Sequence, residues 1–285
     1  CWMPDSHRLN YKYINSPQRI PQPVIRTDAG APHRPATWEP ALASAAEAFK
    51  RISPDKIAII ASGRMTNEEL YMVRHLAAQI GTDKMDIVPR TGESDGMLIS
   101  ADRNPNTNGA KLVLGIEPGS RLDAIREGVR NGSVKAVLAL GEDLTAPEAG
   151  FTPEDLKKLD YLFMIAHSAN ETGRHADLVL PGVTYAEKFG TMINVAGRIQ
   201  RLNRAIRPVG YSRDDWQILR DITVALGGNP ALKDFSSALD ILTVMSTEYE
   251  ELNGLTWGSI GDGGRPILET GVTIPVVERE RNQSR

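Results

Sequence analysis

The chain has 285 residues, of which 41% are hydrophobic and 24% charged, a composition typical of a globular protein with one large or two modest domains. Its net charge of −3 argues against nucleic-acid binding, which usually requires a basic domain. No apolar run approaches the roughly 20 residues that span a bilayer. The N-terminal CWMPDSHRLNYKY lacks the apolar core of a secretory signal. The single cysteine, Cys1, excludes an intramolecular disulfide and fits a reducing compartment.

The first 36 residues contain six of the eighteen prolines: Pro4, Pro17, Pro21, Pro23, Pro32 and Pro35. Proline removes a backbone donor and interrupts helices, so this segment predicts an extended arm laid over a surface. We divide the chain into this arm (1–36), an α/β domain (37–230) and a C-terminal helix with a charged tail expected to be mobile (231–285). The chain does not begin with methionine, which indicates a fragment or a processed product.

A short apolar run, Ile57–Ala61, is typical of a strand buried on both faces. After a turn, Thr66 and Glu69 have the spacing of a capping box, in which each side chain bonds to the other residue's backbone amide. The apolar positions that follow repeat with the helical period, and Gly81 is placed to end that helix.

The same alternation continues along the chain. Further predicted strands are Asp86–Val88, Lys135–Leu140, Tyr161–Ala166 and Asp177–Leu180. Predicted helices are Trp38–Lys50, Arg121–Arg130 (capped by Ser120 and Asp123), one starting at Thr152-Pro153, Asp214–Leu226, and one within 234–252. Residues 89–110 have little periodicity and predict a long polar loop. The order of elements predicts a doubly wound, mostly parallel sheet with helices on both faces.

One segment carries most of the functional signal: ETGRHADLVLPGVTYAEKFGTMINVAGRIQRLNR, residues 171–204, called the signature segment below. Two short stretches, Thr191–Val195 and Arg198–Leu202, flank Ala196-Gly197 and predict a hairpin. Its arginines favour binding of anionic groups. Spacing alone is also explained by a surface hairpin with solvated arginines.

The signature segment resembles that of the molybdopterin oxidoreductase superfamily, whose pattern is Asp-hydrophobic-Val-Leu-Pro, Glu-x-x-Gly-Thr and Asn-x-x-Gly-Arg-x-Gln. The matching positions are Asp177, Val179, Leu180, Pro181, Glu187, Gly190, Thr191, Asn194, Gly197, Arg198 and Gln200. Four further stretches resemble the large peripheral-arm subunit of bacterial NADH:quinone oxidoreductase (complex I): ASGRMTNEELYMVRHLAAQIGT, RTGESDGMLISADRNPNTNGA, DDWQILRDITVALGG and WGSIGDGGRPI.

That resemblance implies a structural portion of a respiratory complex I subunit, without a catalytic centre of its own. Electron transfer from NADH to quinone would then belong to iron–sulphur modules upstream or on partner subunits. It implies a cytoplasmic location, peripheral to the inner membrane through those partners, with no nucleic acid bound. Two alternatives stay open: a fragment of a molybdopterin-dependent dehydrogenase such as formate dehydrogenase, and a stand-alone binding protein that uses an inherited cleft.

The superfamily uses 4Fe–4S and 2Fe–2S clusters and, in catalytic members, molybdopterin guanine dinucleotide. Here the N-terminus resembles the tail of a cluster module, but Pro4 stands at the last cysteine position and His7 at a glycine position. Cys1 alone cannot hold a cluster, which needs about four thiolates. We therefore expect the chain to bind no iron, molybdenum or flavin, and we assign no metal ligand and no catalytic residue.

A cleft inherited from the family would lie where strand ends and the signature segment converge, because open α/β sheets bind ligands at the carboxyl ends of their strands. The candidate cofactor-binding residues are Gly63, Arg64, Gly141, Glu142, Asp143, Glu171, Thr172, Asn194, Gly197 and Arg198. Acid–base chemistry or helix capping could each explain Glu142, Asp143 and Glu171. His167 and His175 could bind a metal or be ordinary hydrogen-bonded histidines. No nucleotide-binding glycine loop occurs.

Overall fold

The computed structural model describes residues 9–27, 30–97 and 99–272. Its main element is a seven-stranded sheet with the order β2-β1-β7-β6-β5-β3-β4. Five of these strands, β3 to β7, run parallel. The strands are β1 (Val24–Ile25), β2 (Arg34–Pro35), β3 (Ile57–Ala61), β4 (Met85–Ile87), β5 (Ala136–Leu140), β6 (Tyr161–Ala166) and β7 (Leu178–Pro181). The predicted doubly wound parallel sheet is therefore confirmed.

Helices cover both faces of this sheet. They are α1 (Trp38–Arg51), α2 (Asn67–Ile80), α3 (Thr107–Leu114), α4 (Leu122–Asn131), α5 (Pro153–Leu156), α6 (Glu171–His175), α7 (Asp215–Ala225), α8 (Ala238–Glu248) and α9 (Trp257–Ile260). Alternate residues of β3 enter two separate cores: Ile57 and Ile59 pack with α1, α2, α7 and α8, while Ala58 and Ile60 pack with α4. Both faces of the strand are buried, as its unbroken apolar sequence predicts.

A second sheet has three antiparallel strands in the order β10-β9-β8: β8 (Gly190–Ile193), β9 (Arg198–Leu202) and β10 (Arg265–Pro266). The predicted hairpin is thus present, with Gly190 opposite Leu202. Its turn closes through Gly197, whose φ of 73° is in the left-handed region that favours glycine. Helices α2, α3 and α8 pack against β8, so the hairpin is joined to the main domain.

The local signals for helix ends are confirmed at α2. The Thr66 hydroxyl accepts from the Glu69 amide at 3.2 Å, and the Glu69 carboxylate accepts from the Thr66 amide at 2.8 Å. Gly81 ends the helix with a φ of 83°. The same reciprocal pattern joins Thr152 and Asp155, although the helix there, α5, has only four residues.

Two expectations for local structure were wrong. Residues 89–110 were expected to be loop throughout, but α3 begins at Thr107 because Asn106 holds this stretch with bonds to Met65 and Ile193. Helix α4 was expected to be capped by Ser120 and Asp123. Instead the buried carboxylate of Asp86 accepts from the amides of Gly119 and Arg121, at 2.9 and 2.7 Å.

The proline-rich arm lies along the edge of the main sheet. Residues Val24–Ile25 pair antiparallel with β7, and the short strand β2 pairs in turn with β1. A 3-10 turn, Lys12–Asn15, precedes this edge. The predicted charged tail, 278–285, lies outside the described residues. Among the residues that the structure describes, no helix is both long and apolar enough to cross a membrane.

Candidate functional site

The strand order creates a crevice beside the carboxyl end of β3. The chain moves from β3 to β4 on one side and then returns to β5 on the other, so the connections at these strand ends diverge. A cavity of about 640 Å³ lies there, called the main cleft below. It is lined by the ends of β3 and β5 (Arg64, Gly141), the loop 100–105 and the signature segment.

Among the residues that the structure describes, four basic side chains line the main cleft: Arg64, Arg103, His167 and Lys188. The Arg64 guanidinium is open to the cleft and makes no hydrogen bond or ion pair within the described part of the chain. Partial desolvation by the cleft walls, followed by repulsion from Arg90, lowers the pKa of Arg64. An arginine without a protein partner is suited to pair with an anionic ligand.

The floor of the main cleft is a buried ion cluster. Lys188 is 6% exposed, and its ammonium lies 2.8 Å from Glu69 Oε1 and 3.8 Å from Asp215 Oδ2. Burial alone would lower the pKa of Lys188, but these carboxylates raise it, so the ammonium stays charged. The capping carboxylate of Glu69 therefore also fixes a cation of the cleft.

Three aromatic side chains, Tyr13, His167 and Tyr185, form one wall of the main cleft. The ring centroid of Tyr13, on the N-terminal arm, lies 5.2 Å from that of His167 and 6.3 Å from that of Tyr185. Burial, with repulsion from the cation Arg19, lowers the pKa of His167 to about 4, so this imidazole is neutral at neutral pH. The wall offers flat, partly exposed rings to a ligand.

A second cavity of about 390 Å³, called the loop cavity below, adjoins the main cleft. The loop 100–105 separates the two, because Ser100, Asp102, Asn104 and Pro105 line both. Asn194, a predicted site residue, lines the loop cavity. Its main-chain oxygen accepts from the Asn108 side chain at 2.7 Å.

Several predicted site residues support the cleft without lining it. Glu142 is 1% exposed and forms a two-point ion pair with Arg90. Asp143 accepts from the Thr172 hydroxyl at 2.7 Å and from the Thr145 hydroxyl at 2.8 Å. Burial would raise the pKa of Asp143, but these hydrogen bonds outweigh it and lower the pKa. Glu171 pairs with Arg174 and His175 in its own helix.

Three predicted glycine and arginine positions have packing partners. A Cβ on Gly63 would meet the side chain of Asn104 at 2.6 Å. The loop 100–105 can therefore pack here only because Gly63 has no side chain. Gly197 packs against the main chain of Leu268. Arg198 donates to the carbonyls of Gly263 and Gly264, at 3.2 and 2.7 Å. Of the ten predicted residues, Arg64 and Gly141 line the main cleft and Asn194 lines its neighbour.

Sequence reasoning missed the residues that give the cleft its charge and shape. Lys188 follows Glu187 within the signature segment and could have been found there. Asp215 reaches the floor because Gly182 leaves room: a Cβ on Gly182 would lie 2.5 Å from its carboxylate. Tyr13 and Tyr185 carry no local signal. Among the described residues, no group of three or more His, Cys, Asp or Glu could hold a metal ion.

A doubly wound sheet with a cationic cleft at its switch point defines a class of ligand-binding α/β domain. Residues 83–224 match the molybdopterin oxidoreductase family model, so the chain carries a domain of that family. The fold is similar to that of acetylene hydratase from Pelobacter acetylenicus, with a TM-score of 0.58 and 10% identity, covering 90% of this chain and 67% of that one.

Curated relatives are similar over about half of the chain. A formate dehydrogenase-like protein of Staphylococcus haemolyticus (strain JCSC1435) is 31% identical over 162 residues, which cover 53% of this chain and 16% of the relative. The NADPH-Fe(3+) oxidoreductase subunit alpha of Geobacter sulfurreducens (strain DL-1 / KN400) is 35% identical over 144 residues, covering 50% and 17%. The chain thus matches less than a fifth of the length of these relatives.

Proposed function

We propose that this chain is the cleft-forming portion of a larger electron-transferring oxidoreductase subunit of the formate dehydrogenase type. In this proposal the main cleft receives the phosphate-bearing part of a pterin dinucleotide, and metal ligands come from outside the chain. The single observation that carries it is the main cleft, a 640 Å³ cavity at the switch point whose Arg64 has no partner in the described part of the chain. The formate dehydrogenase-like relatives support the choice of reaction class.

The cleft residues fit the phosphate end of such a cofactor and not its metal end. Arg64 and Lys188 provide positive charge, and the backbone at Gly141, with a φ of 71°, leaves space for close approach. The lining residues that the structure describes include no cysteine, and the described part of the chain contains no metal-chelating cluster. When bound, the cofactor would supply the redox centre. Arg64 would pair with a phosphate, while Tyr13 and His167 would shield a ring from water.

A second candidate is a structural portion of the large subunit of NADH:quinone oxidoreductase, in which the cleft is a remnant and partner subunits carry the electrons. The observation that favours it is the internal pairing of most predicted site residues. Arg198 is bound to main-chain carbonyls, and Glu142 is neutralised by Arg90. A site whose polar groups satisfy each other has less to offer a ligand.

Binding of guanosine diphosphate distinguishes the two candidate functions. Isothermal titration of the chain should show binding that Arg64→Met weakens at least about tenfold, the loss expected when one charge-assisted contact is removed. The matched control is Arg174→Met, since the Arg174 side chain is 78% exposed and pairs with Glu171 of its own helix. Binding that depends on Arg64 supports the first candidate. Absence of binding, or equal effects of both variants, contradicts it and favours the structural role.

A further inference from the structure

We propose that Asp215 is a proton-exchanging carboxyl on the floor of the main cleft, and that its protonation increases the positive charge the cleft presents to an anionic ligand. The inference rests on the proposed function insofar as the cleft receives phosphate groups. It concerns how that same site is regulated, and it assigns a role to a residue outside the signature segment.

Burial and access make Asp215 suited to this role. The residue is 5% exposed, yet its side chain lines the main cleft and can therefore exchange protons with water there. One carboxylate oxygen accepts from the Val183 amide at a long 3.3 Å, and the other lies 3.8 Å from the Lys188 ammonium. Both contacts are long, so the ionised carboxylate is weakly compensated for its desolvation.

The charges around Asp215 do not balance. Three buried carboxylates (Glu69, Asp214 and Asp215) share two cations, Lys188 and Arg204. Glu69 takes the shorter contacts to Lys188, and Arg204 is committed to Asp214. Asp214 also has one buried oxygen without a hydrogen-bond donor in the described part of the chain. A surplus negative charge in a buried cluster favours retention of a proton, and Asp215 has the weakest partner.

The groups that face Asp215 support this assignment. Lys188 favours the ionised form, while Glu69 from α2 and Asp214, the residue just before α7, oppose it. Burial is the largest influence and raises the pKa of Asp215 to about 7. His167 across the cleft stays neutral over this range, since burial lowers its pKa to about 4. Of the lining residues that the structure describes, Asp215 is therefore the one expected to change charge between pH 6 and pH 8.

The carboxyl titration of Asp215 tests the proton site without any ligand. In protein labelled with ¹³C at aspartate carboxyls, one resonance should titrate near pH 7 and be missing from Asp215→Asn. The control, Asp221→Asn, alters an aspartate of the same helix that pairs with Arg213 and Arg220, and it should leave that resonance in place. A resonance of Asp215 that titrates near pH 4, the ordinary range of aspartate, overturns the inference.

Sulfate tests the effect on binding, because it remains a dianion between pH 6 and pH 8. For the wild type, sulfate affinity should fall about 5-fold to 10-fold from pH 6 to pH 8, because one carboxyl that titrates near pH 7 changes the affinity by no more than about tenfold over this range. Asp215→Asn should remove this dependence, and Asp221→Asn should keep it. Dependence that persists in Asp215→Asn overturns the inference. Absence of sulfate binding at every pH contradicts the proposed function. The proton site at Asp215 is then tested by the carboxyl titration alone.

Discussion

The Arg19 guanidinium donates to the Glu187 carboxylate at 2.6 Å, and this ion pair joins residues 168 positions apart. Both side chains are nearly sealed from solvent, at 4% and 0% exposure. Arg19 also donates to the carbonyls of Ile14 and His167, while Glu187 accepts from Thr184 and Val209. The pair therefore fixes the N-terminal arm against the signature segment and holds the aromatic wall of the main cleft.

Breaking this pair should destabilise the whole domain. Arg19→Met leaves Glu187 charged and buried without its cation, which typically costs about 3–5 kcal/mol of unfolding free energy. Urea unfolding of the purified chain measures this. Arg51→Met is the control, because the Arg51–Glu47 pair is exposed on both sides and should contribute little. Equal losses in the two variants would contradict the structural importance assigned to Arg19.

The same pair predicts a pH dependence of stability. Burial would raise the pKa of Glu187, but bonds from Arg19 and Thr184 hold it below its ordinary value of 4.5. A lowered pKa in the folded state gives stability that is present above pH 4.5 and is lost as pH falls through the folded pKa. The stability difference between wild type and Glu187→Gln should therefore shrink as the pH falls from 6 towards 3.

Urea unfolding at a series of pH values measures this difference. The control variant, Glu154→Gln, replaces an exposed glutamate that pairs loosely with Lys157 at 3.8 Å. Its difference from the wild type should be small and nearly constant with pH. A Glu187→Gln difference that stays constant down to pH 3 would show that Glu187 is not held in its ionised form.

The capping box of α2 should contribute measurably to stability. Thr66→Ala removes the hydroxyl that accepts from the Glu69 amide, and loss of such a cap typically costs about 0.5–2 kcal/mol. Thr243→Ala, an exposed threonine within α8, is the matched control and should change stability by less than about 0.5 kcal/mol. Chemical unfolding distinguishes the two; equal effects would mean that the cap is dispensable.

The elements that could be predicted are those specified by nearby residues. The buried strands Ile57–Ala61 and Tyr161–Ala166 are found with the bounds their apolar runs predict. The helix cap at Thr66 can be recognised from the sequence because its partner, Glu69, lies only three positions later. In each case the stabilising partners lie within a few residues, or the strand is apolar on both faces. Sequence patterns capture such features well.

The missed features depend on contacts between distant residues. Helix α3 starts where it does because Asn106 bonds to Met65 and Ile193, which no local pattern predicts. Tyr13 enters the cleft wall because the arm is held by Arg19 and Glu187. The signature segment was identified from the sequence, but its contacts were not. Of the predicted cleft residues, Arg64 and Gly141 follow strand ends and are found where the switch-point rule places them.

Gly197 provides the sharpest test of what the signature segment does. Its φ of 73° is unfavourable for other residues, and a Cβ there would overlap the carbonyl of Leu268. Its own carbonyl accepts from the amides of Ile267 and Leu268, at 2.9 and 3.0 Å. Gly197→Ala should therefore detach Ile267 and Leu268 from the hairpin and lower the unfolding free energy by about 1–3 kcal/mol.

Hydrogen exchange at the amides of Ile267 and Leu268 should rise in Gly197→Ala, together with a lower unfolding free energy. Gly263→Ala is the control, because a Cβ at Gly263 would meet nothing within 4 Å and its φ is not in the left-handed region. If Gly197 instead serves ligand approach, Gly197→Ala would weaken binding of guanosine diphosphate and leave exchange and stability unchanged. The contacts favour the first result: this glycine of the signature segment joins β9 to the chain at Leu268, and its effect on the cleft is indirect.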